Sequence, residues 1–507
     1  MSIFSHISVT KPNYNTFDLS HERKFSLKMG QLVPTFVAET VPGDEFNINA
    51  THMLRFAPML APVMHKVSVY QHFFFVPNRI VWKNWEDFIT GGENGLDETV
   101  PPYFEPQQNP DDRHIIEPGD LGDYLGIPDG EITGTKFSAL PFAAYWKIYN
   151  EYYRDQNLQI PHDDQLNNGN NNFNDFYGPV ANRAWQHDYF TSALPWTQKG
   201  PEATIPIGEI VTDQWQTAQG GYALPGNVPN LELRNDLPGP GKLGTTTTQG
   251  DYYDIELLGE PTAATINELR RAFRLQEWME KNARGGSRYI EVIMSHFGVR
   301  SSDGRLQRPE FLGGFSSPVN ISEVLQTAET ENTPQGNMAG HAVSLNRGGR
   351  VSYRCEEHGF IMGIMSVMPK TAYQQGLPKM FSKLDKFEYY WPSFARIGEQ
   401  PILNKELYLD IADGEDDNIF GYTPRYAEYK YINSSVHGEM RTSLDFWHMG
   451  RIFANRPSLN ADFIECDADE TKRIFPVQVQ DTEQLYCYLH NTVKARRPMP
   501  YFGTPTI

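Results

Sequence analysis

The sequence predicts a mainly β protein with long loops and a few short helices. Glycine and proline are frequent, at 41 and 36 of the 507 residues, and 13% of the chain is aromatic. Loops rich in glycine and proline, set between aromatic and β-branched runs, are typical of loop-rich β proteins. The clearest run is VSVYQHFFFV at 67–76, which predicts a strand that ends at Pro77 because proline cannot donate to a strand ladder.

The elements on either side of this strand follow from local patterns. Residues 32–39 predict a strand, Pro42-Gly43-Asp44 predicts a turn, and a second strand begins at Phe46. Residues 82–88 are amphipathic at helical spacing, and Gly91-Gly92 is expected to end this short helix.

Aromatic side chains recur at roughly helical spacing in residues 141–153. This spacing suits either a helix packed in the core or a platform on which nucleic-acid bases stack. We favour core packing, which is the commoner role of such a stripe. The residues concerned are Phe142, Tyr145, Trp146, Tyr149, Tyr152 and Tyr153.

Two polar segments are predicted at the surface of a single domain that spans residues 1–507. Residues 155–185 include a run of asparagine and glycine at 167–174 that has little apolar surface to bury. Residues 208–259 form a longer insertion, rich in glycine, proline and threonine. Loops of that length are uncommon in compact domains unless they have a function.

A helix is predicted from Thr265 to the pair Gly285-Gly286. Thr265 as N-cap and Glu268 three positions later form a capping box, and glycine is the usual residue after a helix end. Further on, residues 360–368 form an apolar run that predicts a buried strand. Residues 484–493 alternate, with Leu485, Cys487 and Leu489 on one face and Tyr486, Tyr488 and His490 on the other.

Composition limits the class of protein. A formal net charge of −19 argues against a surface that binds nucleic acid throughout. The first residues, MSIFSH, do not resemble a signal peptide, and no apolar run is long enough to span a membrane. The three cysteines, Cys355, Cys466 and Cys487, are far apart and fit buried thiols in a reducing compartment.

No pattern predicts catalysis. The chain has no G-x-S-x-G turn, no phosphate-binding loop, no H-E-x-x-H pair and no cysteine pair at zinc spacing. His187-Asp188 and His296 are the candidate acids and bases. We expect them to make fixed hydrogen bonds within or between subunits, so the sequence predicts no enzyme and no cofactor.

An acidic loop is a candidate metal site. Asp410, Asp413, Glu415, Asp416 and Asp417 cluster around a glycine, and carboxylate oxygens are the ligands that Ca²⁺ prefers. The spacing is not that of an EF-hand, and acidic surface loops are common. The sequence is therefore compatible with two interpretations: a site for a structural calcium ion, or an acidic surface loop without a metal.

Two basic clusters are candidates for contact with phosphates. One lies near the amino terminus and one near the carboxyl terminus. Salt bridges to a neighbouring acidic subunit are an equally open role for them. The six residues are Arg23, Lys24, Lys28, Lys494, Arg496 and Arg497.

Several motifs resemble the major capsid protein of microviruses, the small tailless single-stranded DNA phages, and especially of their gokushovirus-like branch. The helix that begins at Thr265 leads into ARGGSRY at 283–289, SHFGV at 295–299 and RLQRPEFLGG at 305–314. These runs are joined by HDYFTSALPW at 187–196, by FDLSH, VPGD and HFFFVPNR in residues 17–79, and by the ending at 497–505. Their order and spacing extend the resemblance over most of the chain.

The resemblance implies an eight-stranded antiparallel jelly roll of the viral capsid type, with insertions between strands. It implies a structural protein that forms pentamers and a closed T=1 icosahedral shell around a circular single-stranded DNA genome. Residues 208–259 would form the protrusion at the threefold axis. The implied partners are a small basic DNA-binding protein, a scaffolding protein, a pilot protein and a host surface receptor bound by outer loops.

The resemblance also implies assembly in the host bacterial cytoplasm, with the mature protein in the virion. The alternative function is a secreted carbohydrate-binding or carbohydrate-cleaving β-sandwich, suggested by the many aromatic and acidic residues. That alternative predicts a signal peptide and a pair of catalytic carboxylates, and neither is evident.

Overall fold

A computed structural model describes residues 13–93, 96–106, 115–201, 216–217, 231–233, 242–245, 252–254, 266–286, 288–300, 302–325, 327, 338–346, 348–476 and 483–502. Two main sheets are built from strands numbered here in chain order. They are β1 (Asn15–Asp18), β2 (His21–Leu27), β3 (Val33–Thr40), β4 (Glu45–Phe56), β5 (Val67–Pro77), β6 (Glu310–Pro318), β7 (Asn320–Leu325), β8 (Met338–Asn346), β9 (Arg350–Arg354), β10 (Gly359–Pro369) and β11 (Leu485–Arg497).

Both main sheets are antiparallel. The four-stranded sheet has the order β6-β5-β10-β3. The seven-stranded sheet has the order β1-β11-β4-β8-β7, with β2 on the other end of β11 and β9 on the other end of β4. Strands β1 and β2 pair with different parts of the same edge of β11, and β8 and β9 pair with different parts of the same edge of β4. The seven strands therefore occupy five positions across this sheet.

The side-chain patterns explain why these segments form these strands. In β4 buried residues alternate with partly exposed ones, as expected where one face of a sheet meets the core. In β10 ten of the eleven residues are buried, which accounts for its continuous apolar run. In β5 the first half alternates and the last five residues are all buried. Pro77 closes the β5 ladder, as its missing amide hydrogen requires.

The two sheets share one hydrophobic core. The Cys487 thiol on β11 lies 3.8 Å from the Met365 sulfur on β10, and the Asn491 side-chain amide donates to the Thr35 carbonyl on β3 at 3.3 Å. The chain passes repeatedly from one sheet to the other, as in a jelly roll. The predicted fold class is confirmed. The two main sheets contain seven and four strands, whereas the prediction was a jelly roll of eight strands.

Long insertions carry the helices. They are α1 (Asn78–Val81), α2 (Trp85–Thr90), α3 (Leu121–Leu125), α4 (Leu140–Ile148), α5 (Ile266–Gly285), α6 (Tyr289–Phe297), α7 (Asn404–Leu407) and α8 (Ala461–Ile464). Short strand pairs also lie in the insertions: Tyr103–Phe104 with Phe137–Ser138 and Asn170–Asn171, Ile115–Ile116 with Gly130–Glu131, and Glu399–Leu403 with Ile419–Pro424.

Four residues of the aromatic stripe predicted as core are buried, and Tyr152 and Tyr153 are partly buried against the same core. It forms α4 and a following π-helical turn, Tyr149–Tyr153. Tyr145 is fully buried, and its hydroxyl donates to the Leu32 carbonyl at 2.8 Å. The core interpretation is therefore confirmed over the nucleic-acid platform.

Residues 155–185 are more than the surface loop that their composition predicted. Leu166, Phe173, Phe176 and Val180 are buried in the main core, while the asparagines between them are exposed or half-exposed. The segment is anchored by these four apolar side chains and displays its polar residues outward.

The chain divides into two compact units, where the sequence predicted one domain with insertions. One unit comprises residues 1–196 and 287–507, and the other is Thr197–Gly286, which includes the predicted 208–259 insertion. In the second unit, Gln216–Thr217, Tyr252–Asp254, Lys242–Thr245 and Leu231–Leu233 form an antiparallel sheet in that order. Helix α5 begins at Ile266 and ends at Gly285 as predicted; its proposed N-cap, Thr265, lies outside the described residues.

The three cysteines are free and buried, as their spacing predicted. Across the described ranges, no helix is both long and apolar enough to cross a membrane.

Candidate nucleic-acid interface

The strand β11 positions the carboxyl-terminal basic cluster. Its alternation buries Leu485, Cys487 and Leu489 against the core, as the sequence predicted. The same alternation turns Lys494 and Arg496 to the opposite, solvent-facing side, where both are exposed. This side of the seven-stranded sheet is called the outer face below.

Neighbouring strands extend the outer face by register. Lys494 pairs with Asp18 on β1 and Asn47 on β4. Lys24 on β2 pairs with Tyr488 on β11. Since directly paired residues of antiparallel strands point to the same side, Lys24 and Lys494 share one surface although 470 positions separate them in sequence.

The outer face is basic in an acidic protein. Over β1, β2, β4, β9 and β11 it bears six basic residues, Lys24, Arg55, Arg350, Arg354, Lys494 and Arg496, and three acidic ones, Asp18, Glu22 and Glu45. The formal charge is thus +3 on this face, against −19 for the whole chain. Sequence clustering missed Arg55, Arg350 and Arg354, although the alternation in RVSYR at 350–354 could have placed two of them on one face.

The cations of the outer face contact acidic and aromatic side chains while remaining exposed to solvent. Arg496 binds Glu45 at 3.0 Å, with half of its side chain exposed, and its guanidinium lies 4.7 Å from the centre of the Tyr14 ring. Lys24 binds Glu22 at 3.1 Å. A hydrogen bond with Tyr488, and then Lys24, hold the pKa of Glu22 below its usual value.

Two predicted DNA-facing residues point the other way. Arg23 donates to the carbonyl oxygens of Pro34 and Tyr124, at 3.3 and 2.5 Å, and burial lowers the pKa of its guanidinium. Arg497 binds the fully buried Asp44 at 3.0 Å. Each of these two arginines is adjacent in sequence to an outer-face residue, Lys24 or Arg496, so its side chain points to the opposite side of the sheet. There its hydrogen bonds or ion pair stabilise the fold.

Lys28 lies apart from both groups. It follows the end of β2 and is half-buried, with its backbone amide donating to the Gln31 side chain at 2.7 Å. The structure therefore brings together three of the six predicted residues, Lys24, Lys494 and Arg496.

The acidic loop surrounds an arginine. The Arg456 guanidinium donates to Asp413 at 2.7 and 2.8 Å and to Asp416 at 2.8 Å, and Lys405 binds Asp417 at 2.6 Å. The hydrogen bonds from Arg456 lower the pKa of Asp413 and Asp416.

The acidic residues do not fit a calcium ion in this arrangement. The Asp410 side chain accepts from the Ala412 amide at 3.0 Å, and Asp413 also accepts from the Glu415 amide at 2.9 Å. Within the part of the chain that the structure describes, no three Asp, Glu, His or Cys side chains are placed to hold a metal together. The sequence prediction missed Arg456 because it lies 43 residues from Asp413 along the chain.

In the candidate acid–base pair His187-Asp188, the Asp188 carboxylate makes structural hydrogen bonds. This carboxylate is buried and accepts from the amides of Phe190 and Thr191, at 2.9 and 2.8 Å, and from the Tyr373 hydroxyl at 2.7 Å. These bonds fix the turn after His187 and join it to Tyr373, as expected for hydrogen bonds within the subunit.

Comparison with known proteins identifies the family of the chain. The model of the family described as capsid protein (F protein) matches residues 5–507. The chain is 34% identical to the capsid protein VP1 of Chlamydia phage 1 and 36% identical to that of Bdellovibrio phage phiMH2K, each over 99% of this chain and 97% of the relative. It is 32% identical to the capsid protein VP1 of Spiroplasma virus 4, over 96% of this chain and 94% of the relative.

These matches confirm the resemblance to gokushovirus-like microviruses and decide against the carbohydrate-binding alternative. The chain belongs to the phage capsid protein (F protein) family and is a structural protein of the virion.

Proposed function

We propose that this chain is the major capsid subunit of a microvirus, and that it assembles into a T=1 icosahedral shell around a circular single-stranded DNA genome. The basic outer face of the seven-stranded sheet lies against that genome. The observation that carries this assignment is a local charge of +3, beside the exposed Tyr486, in a chain of charge −19.

The chemistry of the outer face suits single-stranded DNA. Each lysine or arginine near a phosphate releases a condensed counterion. Tyr486 is 49% exposed beside Arg55, so its ring is available to stack on a base, which contributes about 1–3 kcal/mol. Asn47 and Asn49 on β4 lie between the cations and offer neutral hydrogen-bonding groups.

The family implies the partners of the chain, and its remaining acidity supports one of them, a basic protein. A net +3 face cannot neutralise a genome, so a small basic DNA-binding protein of the same phage is needed inside the shell. Pentamers assembled with a scaffolding protein, and a pilot protein for genome delivery, complete the particle. Assembly occurs in the host bacterial cytoplasm, residues 208–259 form a protrusion at the threefold axis, and outer loops bind the host receptor.

The test is DNA binding by a basic-face triple variant, Lys24→Ala, Lys494→Ala and Arg496→Ala. The matched control is Lys83→Ala, Arg274→Ala and Lys370→Ala, which removes the same charge from exposed positions off this face. Affinity for a fluorescent oligo(dT) is measured at several salt concentrations. Loss of three phosphate contacts makes the negative slope of log K against log[salt] shallower by about 2.

The control variant is expected to retain the wild-type slope. Particles made with the triple variant are expected to assemble but to contain less DNA. Equal slopes for the two variants would contradict the assignment of this face to the genome.

A further inference from the structure

Residues 379–397 expose a dense run of large apolar side chains. The segment lies between β10 and the strand Glu399–Leu403, and consists of loops and single 3₁₀ turns. Each of the following side chains is at least 48% exposed: Met380, Phe381, Leu384, Phe387, Tyr389, Tyr390, Trp391 and Ile397.

The exposed area is that of a protein interface. At about 200 Å² for a whole side chain of this size, the exposed fractions amount to roughly 1,000 Å². The largest apolar patch on a typical monomer is about 300–600 Å², whereas one side of a stable protein–protein interface covers about 800 Å².

Buried ion pairs hold the segment in one conformation. The Lys383 side chain is 4% exposed, binds Glu428 at 2.8 Å, and lies 4.0 Å from the centre of the Tyr429 ring. Lys379 binds Glu406, whose side chain is 2% exposed, at 2.9 Å. A surface ordered before binding loses less conformational entropy on association.

Local hydrogen bonds add to this order. Glu388 accepts from the backbone amides of Leu384 and Asp385, at 2.5 and 2.9 Å. The Trp391 indole donates to the Lys386 carbonyl at 2.8 Å. The aromatic side chains are thus displayed from a fixed backbone.

The local charge favours a second copy of this chain as the partner. Residues 379–397 contain four basic and two acidic residues. Glu406 and Glu428 neutralise Lys379 and Lys383, so the segment is locally neutral in a chain whose net charge is −19. Copies of so acidic a chain repel each other, so a contact between copies is favoured where one of them is apolar and not negative. A contact between this segment and a different surface of a neighbouring copy is heterologous, as in closed rings of subunits.

We infer that residues 379–397 are covered by a second copy of this chain in the shell. This inference rests on the proposed self-assembly and assigns to it one side of a subunit contact. Lys379 and Lys383 act as positioning residues, and the exposed side chains make the contact.

The test is assembly of the double variant Phe381→Asp and Leu384→Asp, made as the full chain with the other phage proteins. Leu384 is 92% exposed and Phe381 is 63% exposed, so the fold should tolerate both changes. The matched control is Ile160→Asp with Ile432→Asp, at apolar side chains that are 89% and 90% exposed outside the segment. Thermal unfolding checks the fold of each protein, and sedimentation velocity measures the yield of closed shells.

The double variant is expected to fold, to remain as free subunits or small oligomers, and to reduce the shell yield at least about tenfold, as for loss of interface anchors. The control is expected to assemble like the wild type. Wild-type yields from the double variant would overturn this inference and leave the proposed function standing. Normal shells that no longer adsorb to the host would also overturn it and indicate a receptor site. A wild-type chain that never associates would overturn both proposals.

Discussion

Asp44 and Glu45 are neighbours in sequence, and each binds one of the neighbouring arginines Arg497 and Arg496 at 3.0 Å. The first pair lies on the core side of the seven-stranded sheet, where Asp44 is fully buried and 19% of the Arg497 side chain is exposed. The second pair lies on the outer face, with 36% of Glu45 and 52% of Arg496 exposed. One step along the pleat therefore separates a structural ion pair from cations that remain open to a polyanion.

Of the changes considered, the largest loss of stability is predicted for a substitution of Asp44. Asp44→Ala leaves the Arg497 charge without its buried partner and removes the acceptor of the Val41 amide, a hydrogen bond of 3.0 Å. We expect the free energy of unfolding to fall by about 3–5 kcal/mol, measured by urea unfolding of the subunit.

Glu45→Ala is the matched control, since it removes a carboxylate at the same distance from an arginine. An exposed pair contributes about 0–1 kcal/mol, so this change should be nearly neutral. Similar losses from the two variants would show that the two faces of the sheet do not differ as described.

The next effect concerns His52, on the core side of β4. Its imidazole lies 3.1 and 3.3 Å from the Ser317 and Ser344 hydroxyls, and burial lowers its pKa to about 4. The unfolded chain binds this proton near pH 6.5 and the folded chain only near pH 4. The free energy of unfolding therefore falls as the pH drops through this window, by about 2–3 kcal/mol at pH 4.5 from His52 alone.

The variant His52→Leu removes this titration. Urea unfolding at pH 7 and pH 4.5 should show a smaller loss of stability for the variant than for the wild type. An unchanged difference between the two pH values would mean that His52 is accessible to protons in the folded chain.

The smallest effect on stability is predicted for Lys24→Ala on the outer face. The Lys24 and Glu22 side chains are 71% and 49% exposed, so we expect a change within about 0.5 kcal/mol. Arg23→Ala is the contrasting change, because it leaves the Pro34 and Tyr124 carbonyls without their donor. Thermal unfolding of the two variants should rank Arg23 as clearly the more damaging; the reverse order would contradict the assignment of faces.

Alternation along a strand made part of this surface predictable from sequence. The period of two in residues 484–493 separated Leu485 from Tyr486 correctly. Grouping charges by proximity in sequence was misleading, since Arg23 with Lys24, and Arg496 with Arg497, point to opposite sides. A sheet presents every second residue on one face, so a linear cluster of charges is divided by the fold.

Other features depend on contacts that no local pattern records. Arg456 reaches the acidic loop from a distant part of the chain, and Lys383 meets Glu428 across 45 residues. Helix α6 was not predicted, because its run YIEVI is short and rich in β-branched residues, which also suit strands. The jelly-roll class itself came from the resemblance to a family and not from the periodicity of the strands.

Ultraviolet cross-linking of the genome to protein in intact, filled particles tests the central claim most directly. Mass spectrometry then identifies the cross-linked peptides. The outer face should be marked, with adducts on the peptides that contain Lys24 and Tyr486 to Arg496. Cross-links confined to other surfaces, with residues 485–497 unmarked, would contradict the placement of the seven-stranded sheet against the DNA.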